Sequence, residues 1–118
     1  MLTVTWEDQE RINKFSRLHA ALADVEEEMQ VRRTEREELE DLGLEIELLD
    51  DDTVLYRIGE AYIHMAREEA TAQMELDTER ANADIARLKA SVEDCEAQMK
   101  ELKVALYAKF GSNINLER

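Results

Sequence analysis

One segment of strand-like sequence, residues 53–65, interrupts a chain that otherwise has the pattern of long helices. Within it, β-branched and aromatic residues recur at a period of two, with Gly59 and Glu60 at the centre. A two-residue loop that begins with glycine forms a type II′ turn, whose twist matches that of paired strands. Such a loop places Ile58 opposite Ala61 and sets the register of both strands. The segment is therefore predicted to be a β-hairpin.

This register gives the predicted hairpin one apolar face and one mixed face. The apolar face consists of Val54, Tyr56, Ile58, Ala61, Ile63 and Met65. The other face consists of Leu55, Arg57, Tyr62 and His64. A lone two-stranded hairpin is marginally stable in water and leaves both of its outer edges unpaired. We therefore predict that the residues of the apolar face are subunit-assembly residues, which other chains cover.

Heptad repeats on both sides of the hairpin predict an antiparallel two-helix coiled coil, a mainly α fold. The predicted elements of this single domain, residues 1–118, are a helix over 5–49, the hairpin over 53–65, a helix over 66–110 and a tail over 111–118. Asp50, Asp51 and Asp52 are expected to end the first helix, because short polar side chains favour turns. A helix of this length spans about 65 Å, and both chain ends are expected at the end of the rod far from the hairpin.

Local signals refine the first helix. Thr5 is a good N-cap, and Asp8 takes the place of the glutamate in a capping box. Arg32 and Arg36 interrupt the apolar heptad positions. Gly43 costs roughly 1 kcal/mol relative to alanine inside a helix, which predicts that another backbone approaches closely there.

Composition argues against several functional classes. The net charge of −14 repels phosphate backbones and anionic membranes, so neither a nucleic acid nor a membrane is an expected partner. The sequence has no glycine-rich phosphate loop, and His19 and His64 lack further ligands at metal-binding spacing. Cys95 occupies a heptad core position and is expected to be a buried apolar residue. The chain is predicted to be no enzyme and to need no cofactor or metal.

Apolar residues accumulate at the two ends of the chain, outside the heptad repeats. They are Trp6, Phe110, Ile114 and Leu116. An exposed apolar patch usually marks an interaction site. The alternative is that these side chains cap the end of the coiled coil by packing against one another.

The terminal sequences themselves are distinctive. They read VTWEDQERINKF over 4–15 and LYAKFGSNINLE over 106–117. Together with the aspartate run at 50–52 and the YRIG of the hairpin, they resemble the prefoldin family over the whole chain. Trp6 stands where a phenylalanine is expected, in the same apolar role. The single hairpin resembles the β-type subunits of that family, since its α-type subunits have two.

This resemblance implies a subunit of a heterohexamer, in company with two α-type and three further β-type subunits, whose hairpins form an intersubunit β-barrel. It also implies an ATP-independent holdase that binds non-native actin and tubulin at its coiled-coil tips. Delivery to the cytosolic group II chaperonin, and so a cytoplasmic location, follow from the same resemblance. The expected client-contact residues are Trp6, Phe110, Ile114 and Leu116.

Two other functions fit a helical hairpin. A structural coiled-coil tether or scaffold without client binding would have a polar hairpin and plain ends, whereas this hairpin has an apolar face and this chain an aromatic C-terminal sequence. An RNA-binding antiparallel helical arm, like that of seryl-tRNA synthetases, needs lysine and arginine along its helices. This chain is acidic, which argues against that function.

Overall fold

The structure, a computed structural model, describes residues 3–49 and 51–116, apart from the side chain of Ser112. Its elements are helix α1 (Trp6–Leu48), strand β1 (Thr53–Ile58), strand β2 (Ala61–Ala66), helix α2 (Arg67–Phe110) and a 3-10 turn (Gly111–Asn113). The predicted mainly α fold, with one hairpin between two long helices, is confirmed. Of the three aspartates that are predicted to end the first helix, Asp50 lies outside the described residues.

The hairpin has the register that the sequence predicts. Ile58 pairs with Ala61 and Tyr56 with Ile63 in an antiparallel ladder. Gly59 has a positive φ of 62°, as the first position of a glycine-led two-residue turn requires. The ladder extends one residue further than predicted, because Ala66 pairs with Thr53 and so belongs to β2 rather than to the second helix.

The start of α1 is held by the predicted capping box. The backbone N–H of Asp8 donates to Thr5 Oγ1 over 3.1 Å. In return, the backbone N–H of Thr5 donates to Asp8 Oδ2 over 3.0 Å. These reciprocal bonds satisfy donors that the first turn of a helix leaves free.

The end of α1 is held by the first residue of α2, which the sequence analysis did not single out. The last turn of α1 contains no basic residue of its own. Instead, the guanidinium group of Arg67 donates to the carbonyl oxygens of Leu49, over 2.7 Å, and of Ile46. The backbone N–H of Arg67 donates to the carbonyl oxygen of Asp52 over 2.9 Å. A cation at free helix carbonyls is favourable, so Arg67 joins the hairpin, α1 and α2.

The packing divides the chain into two compact units. Met1–Met29 and Arg87–Arg118 form one, here called the terminal unit, and Gln30–Ala86 form the other, here called the hairpin unit. The buried core of the terminal unit consists of Phe15, Leu22, Cys95, Met99, Leu106, Phe110 and Leu116. The buried core of the hairpin unit centres on Ile46, Tyr56 and Ala70. Residues of the heptad repeats lie in or against these cores, among them Leu22 and Cys95 in the terminal unit and Ile46 and Met74 in the hairpin unit.

The polar interruptions of the first heptad are accommodated inside the hairpin unit. Arg32 and Arg36 are both half-buried, with their aliphatic stems available for packing. The guanidinium group of Arg32 donates to the Glu35 carboxylate over 2.8 Å. That of Arg36 reaches the side-chain oxygen of Asn82 on α2 over 3.4 Å. Each arginine therefore keeps a polar partner for its charged end.

The close approach predicted at Gly43 exists, but a side chain makes it. A Cβ atom at Gly43 would lie 3.3 Å from the sulfur of Met74 on α2. The prediction that another backbone comes close is therefore wrong. The glycine leaves room for the flexible methionine, which packs against the core of the hairpin unit.

Candidate functional site

The six predicted assembly residues divide into two groups along the hairpin. At its base, Tyr56 is only 2% exposed and belongs to the core that Ile46 and Ala70 form. Val54 and Met65 pack against the same core. Towards the turn, the remaining three, Ile58, Ala61 and Ile63, are exposed. The expectation that only other chains cover this face is therefore wrong for its base, where the chain's own helices lie.

The hydroxyl group of Tyr56 anchors the hairpin to α2. It donates to Asp77 Oδ2 over 2.6 Å, and the side-chain amide of Gln73 donates to Asp77 Oδ1 over 3.0 Å. Burial, and then the hydrogen bond to Asp77, raise the pKa of Tyr56 well above its ordinary value. The phenol therefore stays a protonated donor. No periodicity relates Tyr56 to Asp77, so this contact gave no signal in the sequence.

The outer face of the hairpin carries large apolar side chains that are exposed in the part of the chain that the structure describes. Leu55 and Tyr62 are both exposed, Tyr62 by 64%. Arg57 on the same face forms a 3.6 Å ion pair with Glu38 of α1, in an exposed setting where such pairs contribute little. The sheet formed by the described residues has two strands, so each strand also presents one unpaired edge. These are features of a surface that other chains cover.

The four residues at the chain ends are not equally accessible in the terminal unit. Trp6 is 71% exposed. Phe110 and Leu116 are 6% and 8% exposed and belong to the core, and Ile114 is half-buried against it. The expectation that Phe110 and Leu116 are exposed is therefore wrong. The reason is that the chain turns at Gly111 and brings Leu116 back onto α2.

Other residues, which are not among the four expected client-contact residues, also supply exposed apolar surface in the terminal unit. Val104 and Tyr107 lie three residues apart on α2, and therefore on one face of the helix. Val4 is exposed just before α1. Val104 falls outside the heptad core positions, so its exposure could have been predicted from the repeat.

A buried carboxylate joins the beginning of α1 to the end of α2. Asp8 is nearly inaccessible and forms ion pairs with Lys109 and, over 3.2 Å, with Arg11. The Lys109 ammonium also lies 5.4 Å from the centre of the Phe110 ring. The hydrogen bond from Lys109, followed by that from the Thr5 N–H, lowers the pKa of Asp8 to about 2. Asp8 therefore remains ionised at neutral pH.

This pKa predicts how acid affects the terminal unit. Because the pKa of Asp8 is lower in the folded chain, about 2 against an ordinary 3.8, its contribution to stability is full above 3.8 and declines as the pH falls towards 2. We expect Asp8→Asn to lower the Tm at neutral pH and the difference from wild type to vanish across that interval. Thermal unfolding followed by circular dichroism at a series of pH values measures this. Glu10→Gln, which changes an exposed acid nearby, is the control, and an unchanged difference at low pH would contradict the prediction.

The described residues lack two features that would indicate other kinds of functional site. They contain no group of three or more His, Cys, Asp or Glu side chains arranged to hold a metal ion. Among the helices they form, none combines the length and hydropathy needed to cross a membrane. What they do offer is uncovered apolar surface, on the hairpin in one unit and near the chain ends in the other.

The described residues thus form two long helices joined by a single β-hairpin with unpaired outer edges, an architecture that defines a class of mainly helical proteins. The structure is similar to the crystal structure of the prefoldin beta subunit from Thermococcus strain KS-1, with a TM-score of 0.78 over 92% of this chain and 96% of that one. That pair is 20% identical in sequence, so it shows a shared fold.

The amino-acid sequence is also similar to sequences of one protein family. Residues 9–113 match the family described as prefoldin subunit. The chain is 45% identical to prefoldin subunit 4 of Saccharomyces cerevisiae over 98% of this chain and 90% of that protein. It is 40% identical to human prefoldin subunit 4 over 98% of this chain and 88% of that protein. The chain belongs to the prefoldin subunit family.

Proposed function

We propose that this chain is a β-type subunit of a heterohexameric prefoldin co-chaperone, alongside two α-type and three further β-type subunits. The observation that carries the proposal is the hairpin, which leaves two edges unpaired and apolar side chains exposed on both faces. Strand edges of this kind pair readily with further strands. In the proposed assembly, hairpins of neighbouring subunits complete a β-barrel.

The predicted assembly residues take two roles in this proposal. Ile58, Ala61 and Ile63 are exposed and contact neighbouring subunits directly. Val54, Tyr56 and Met65 pack on the chain's own helices and hold the hairpin in the orientation that assembly needs. Exposed Leu55 and Tyr62 add apolar area on the opposite face.

The complex acts as an ATP-independent holdase for non-native proteins. Trp6, Phe110, Ile114 and Leu116 are the proposed client-contact residues, and they all lie in the terminal unit with exposed Val104 and Tyr107 nearby in sequence. In this function the clients are unfolded actin and tubulin chains, which pass to the group II chaperonin of the cytosol. Trp6 offers its surface directly, whereas Phe110, Ile114 and Leu116 become available only when the residues after Gly111 leave the core.

Substituting the most exposed of these residues tests the client-binding role. We expect Trp6→Ser to weaken suppression of aggregation of denatured actin by the reconstituted complex, without ATP, in a light-scattering assay. A buried apolar side chain contributes roughly 1.5–3 kcal/mol, but six subunits share the client, so the loss should be partial. Leu76→Ser, at an exposed apolar position of the hairpin unit, is the matched control.

Native mass spectrometry of the same samples separates binding from assembly. The proposal expects one copy of this chain in a hexamer for the wild type and for both variants. If the hexamer with the wild-type chain has the normal mass but does not suppress aggregation, the result would support the alternative function of a scaffold without client binding.

A further inference from the structure

The last described residues turn back onto α2 after the helix ends. Gly111 adopts a positive φ of 57°, a conformation that glycine accepts without strain. The Asn113 side-chain amide donates to the Phe110 carbonyl oxygen over 3.1 Å and closes the 3-10 turn. Ile114 follows with extended backbone, at φ −127° and ψ 142°. Residues 114–116, here called the tail segment, thus lie against α2 after a reversal at Gly111.

The tail segment is held through its main chain by one side chain of α2. The hydroxyl oxygen of Tyr107 accepts a hydrogen bond from the backbone N–H of Leu116 over 3.0 Å. The same hydroxyl donates to the carbonyl oxygen of Leu116, over 3.3 Å. Both contacts are to backbone atoms, and every residue except proline, which lacks the N–H, supplies both of them. Tyr107 can therefore hold an extended segment regardless of the side chains that the segment carries.

An apolar surface receives the side chains of the tail segment. Leu116 is buried in the core that Phe15, Leu106 and Phe110 help to form, and Ile114 packs against the same core. Asn115 between them is exposed. In extended backbone, alternate side chains point to the same side. The groove therefore selects two apolar residues separated by one residue of any kind.

We propose that this groove is a client-binding site for extended segments with the pattern apolar-any-apolar, and that the tail segment occupies it in the client-free subunit. The proposal rests on the holdase function above and names the kind of client segment that one tip of the complex binds. Unfolded proteins expose such segments frequently and in extended form. Displacement of the tail segment would also make Phe110 accessible.

The way in which the tail segment is attached makes it displaceable. Among the described contacts, two hydrogen bonds with one hydroxyl group and two apolar side chains hold it, and the turn at Gly111 tethers it to α2. A tethered segment of this kind competes at an effective concentration on the order of millimolar. The apparent affinity for a client is then the affinity of the free groove multiplied by the fraction of time that the tail segment leaves it free. A client with several such segments can still displace it.

A peptide that copies the tail tests the groove directly. The probe is a fluorescein-labelled peptide of residues 111–118, and its binding is followed by fluorescence polarisation. Two reconstituted hexamers are compared, one with the intact chain and one with the chain lacking residues 112–118. We expect the peptide to bind the tail-less complex at least about tenfold more tightly, because its site is then free. The other five subunits are identical in both complexes, so the difference reports on this chain.

Two variants identify the contacts. In the tail-less complex, Tyr107→Phe removes only the hydroxyl group and both of its hydrogen bonds to Leu116. A net loss of about fivefold for each bond predicts that peptide binding weakens by between about fivefold and about 25-fold. A peptide with Leu116→Ser should lose most of its binding. If deletion of the tail perturbs the fold, full-length Leu116→Ser, which keeps the chain length, should also bind the unaltered peptide more tightly than wild type. Equal binding to all complexes, or no effect of Tyr107→Phe, would overturn the proposal.

Competition with a client connects the groove to the function. Denatured actin should displace the labelled peptide from the tail-less complex. If it does not, the groove binds the tail and not the client, and the proposal is overturned. The aggregation assay with the intact complex remains a separate measure. If that complex suppresses aggregation but the peptide does not distinguish the two hexamers, this inference fails and the holdase function stands. If no complex suppresses aggregation, the holdase function itself fails.

Discussion

Replacing Ile58 and Ile63 together with aspartate should exclude this chain from the hexamer while leaving the chain itself folded. The two side chains are 49% and 44% exposed, so charge at these positions is tolerated in the isolated subunit. In the proposed barrel the same positions are covered, and an unpaired charge there costs several kcal/mol. Size-exclusion chromatography after mixing with the five partner subunits should find the variant in the unassembled fraction, and circular dichroism should show unchanged helix content.

A control with the same added charge belongs beside this variant. Val31 and Leu76 are exposed apolar residues on the helices of the hairpin unit. Val31→Asp with Leu76→Asp changes the net charge equally but leaves the hairpin unaltered, and it should enter the hexamer. Normal assembly of the Ile58 and Ile63 variant would mean that this part of the hairpin does not join the subunits.

Removing the ring of Tyr56 should have the largest effect on the chain's own stability. Tyr56→Ala removes a fully buried aromatic side chain, for which about 3–5 kcal/mol is typical, and it takes away the hydrogen bond to Asp77. We expect the hairpin to detach from α1 and α2 while the helices of the terminal unit persist. Hydrogen exchange of the β1 and β2 amides should then be fast, since their protection depends on this anchor.

Two matched variants separate the contributions of the ring and the hydroxyl group. Tyr56→Phe keeps the ring and loses only the bond to the Asp77 carboxylate, which costs roughly 1.5–3 kcal/mol for a bond to a charged group. Tyr62→Ala removes the same residue type from the outer face, where it is 64% exposed, and should change the stability of the isolated chain by less than about 1 kcal/mol. Equal destabilisation by Tyr56→Ala and Tyr62→Ala would contradict the view that only the inner face is anchored within the chain.

These expectations separate loss of assembly from loss of folding. A charge at Tyr56 would disturb the hairpin unit before any partner is met, and loss from the hexamer would then say nothing about the interface. Charges at Ile58 and Ile63 act where the chain leaves its own surface open. The distinction depends on burial within the single chain, which heptads and strand alternation do not reveal.

The parts of the fold that follow from local periodicity were predictable. A repeat of apolar residues places Phe15 and Leu22 on one side of a helix, and the structure buries both. Alternation around Gly59 sets the pairing of Ile58 with Ala61, because a side-chain period of two leaves no freedom once the turn is known. The capping box of Thr5 and Asp8 involves residues three apart and was predictable for the same reason.

Contacts between residues distant in sequence were not predictable in this way. Arg67 holds the carbonyl groups at the end of α1, and Tyr56 bonds to Asp77 on α2. Lys109 meets Asp8 across almost the whole length of the chain. Each pair is brought together by the packing of separate elements, and no spacing within one element encodes it.

The sequence by itself therefore determined the two helices, the hairpin with its register, and the acidic surface that argues against nucleic-acid partners. Those properties depend on neighbours along the chain and on total charge. The tertiary structure alone decided which apolar side chains remain available: Tyr56, Phe110 and Leu116 are buried, whereas Trp6, Ile58 and Ile63 are exposed. Hydropathy is alike in both groups, because burial is set by what the fold places over a side chain and not by the side chain itself.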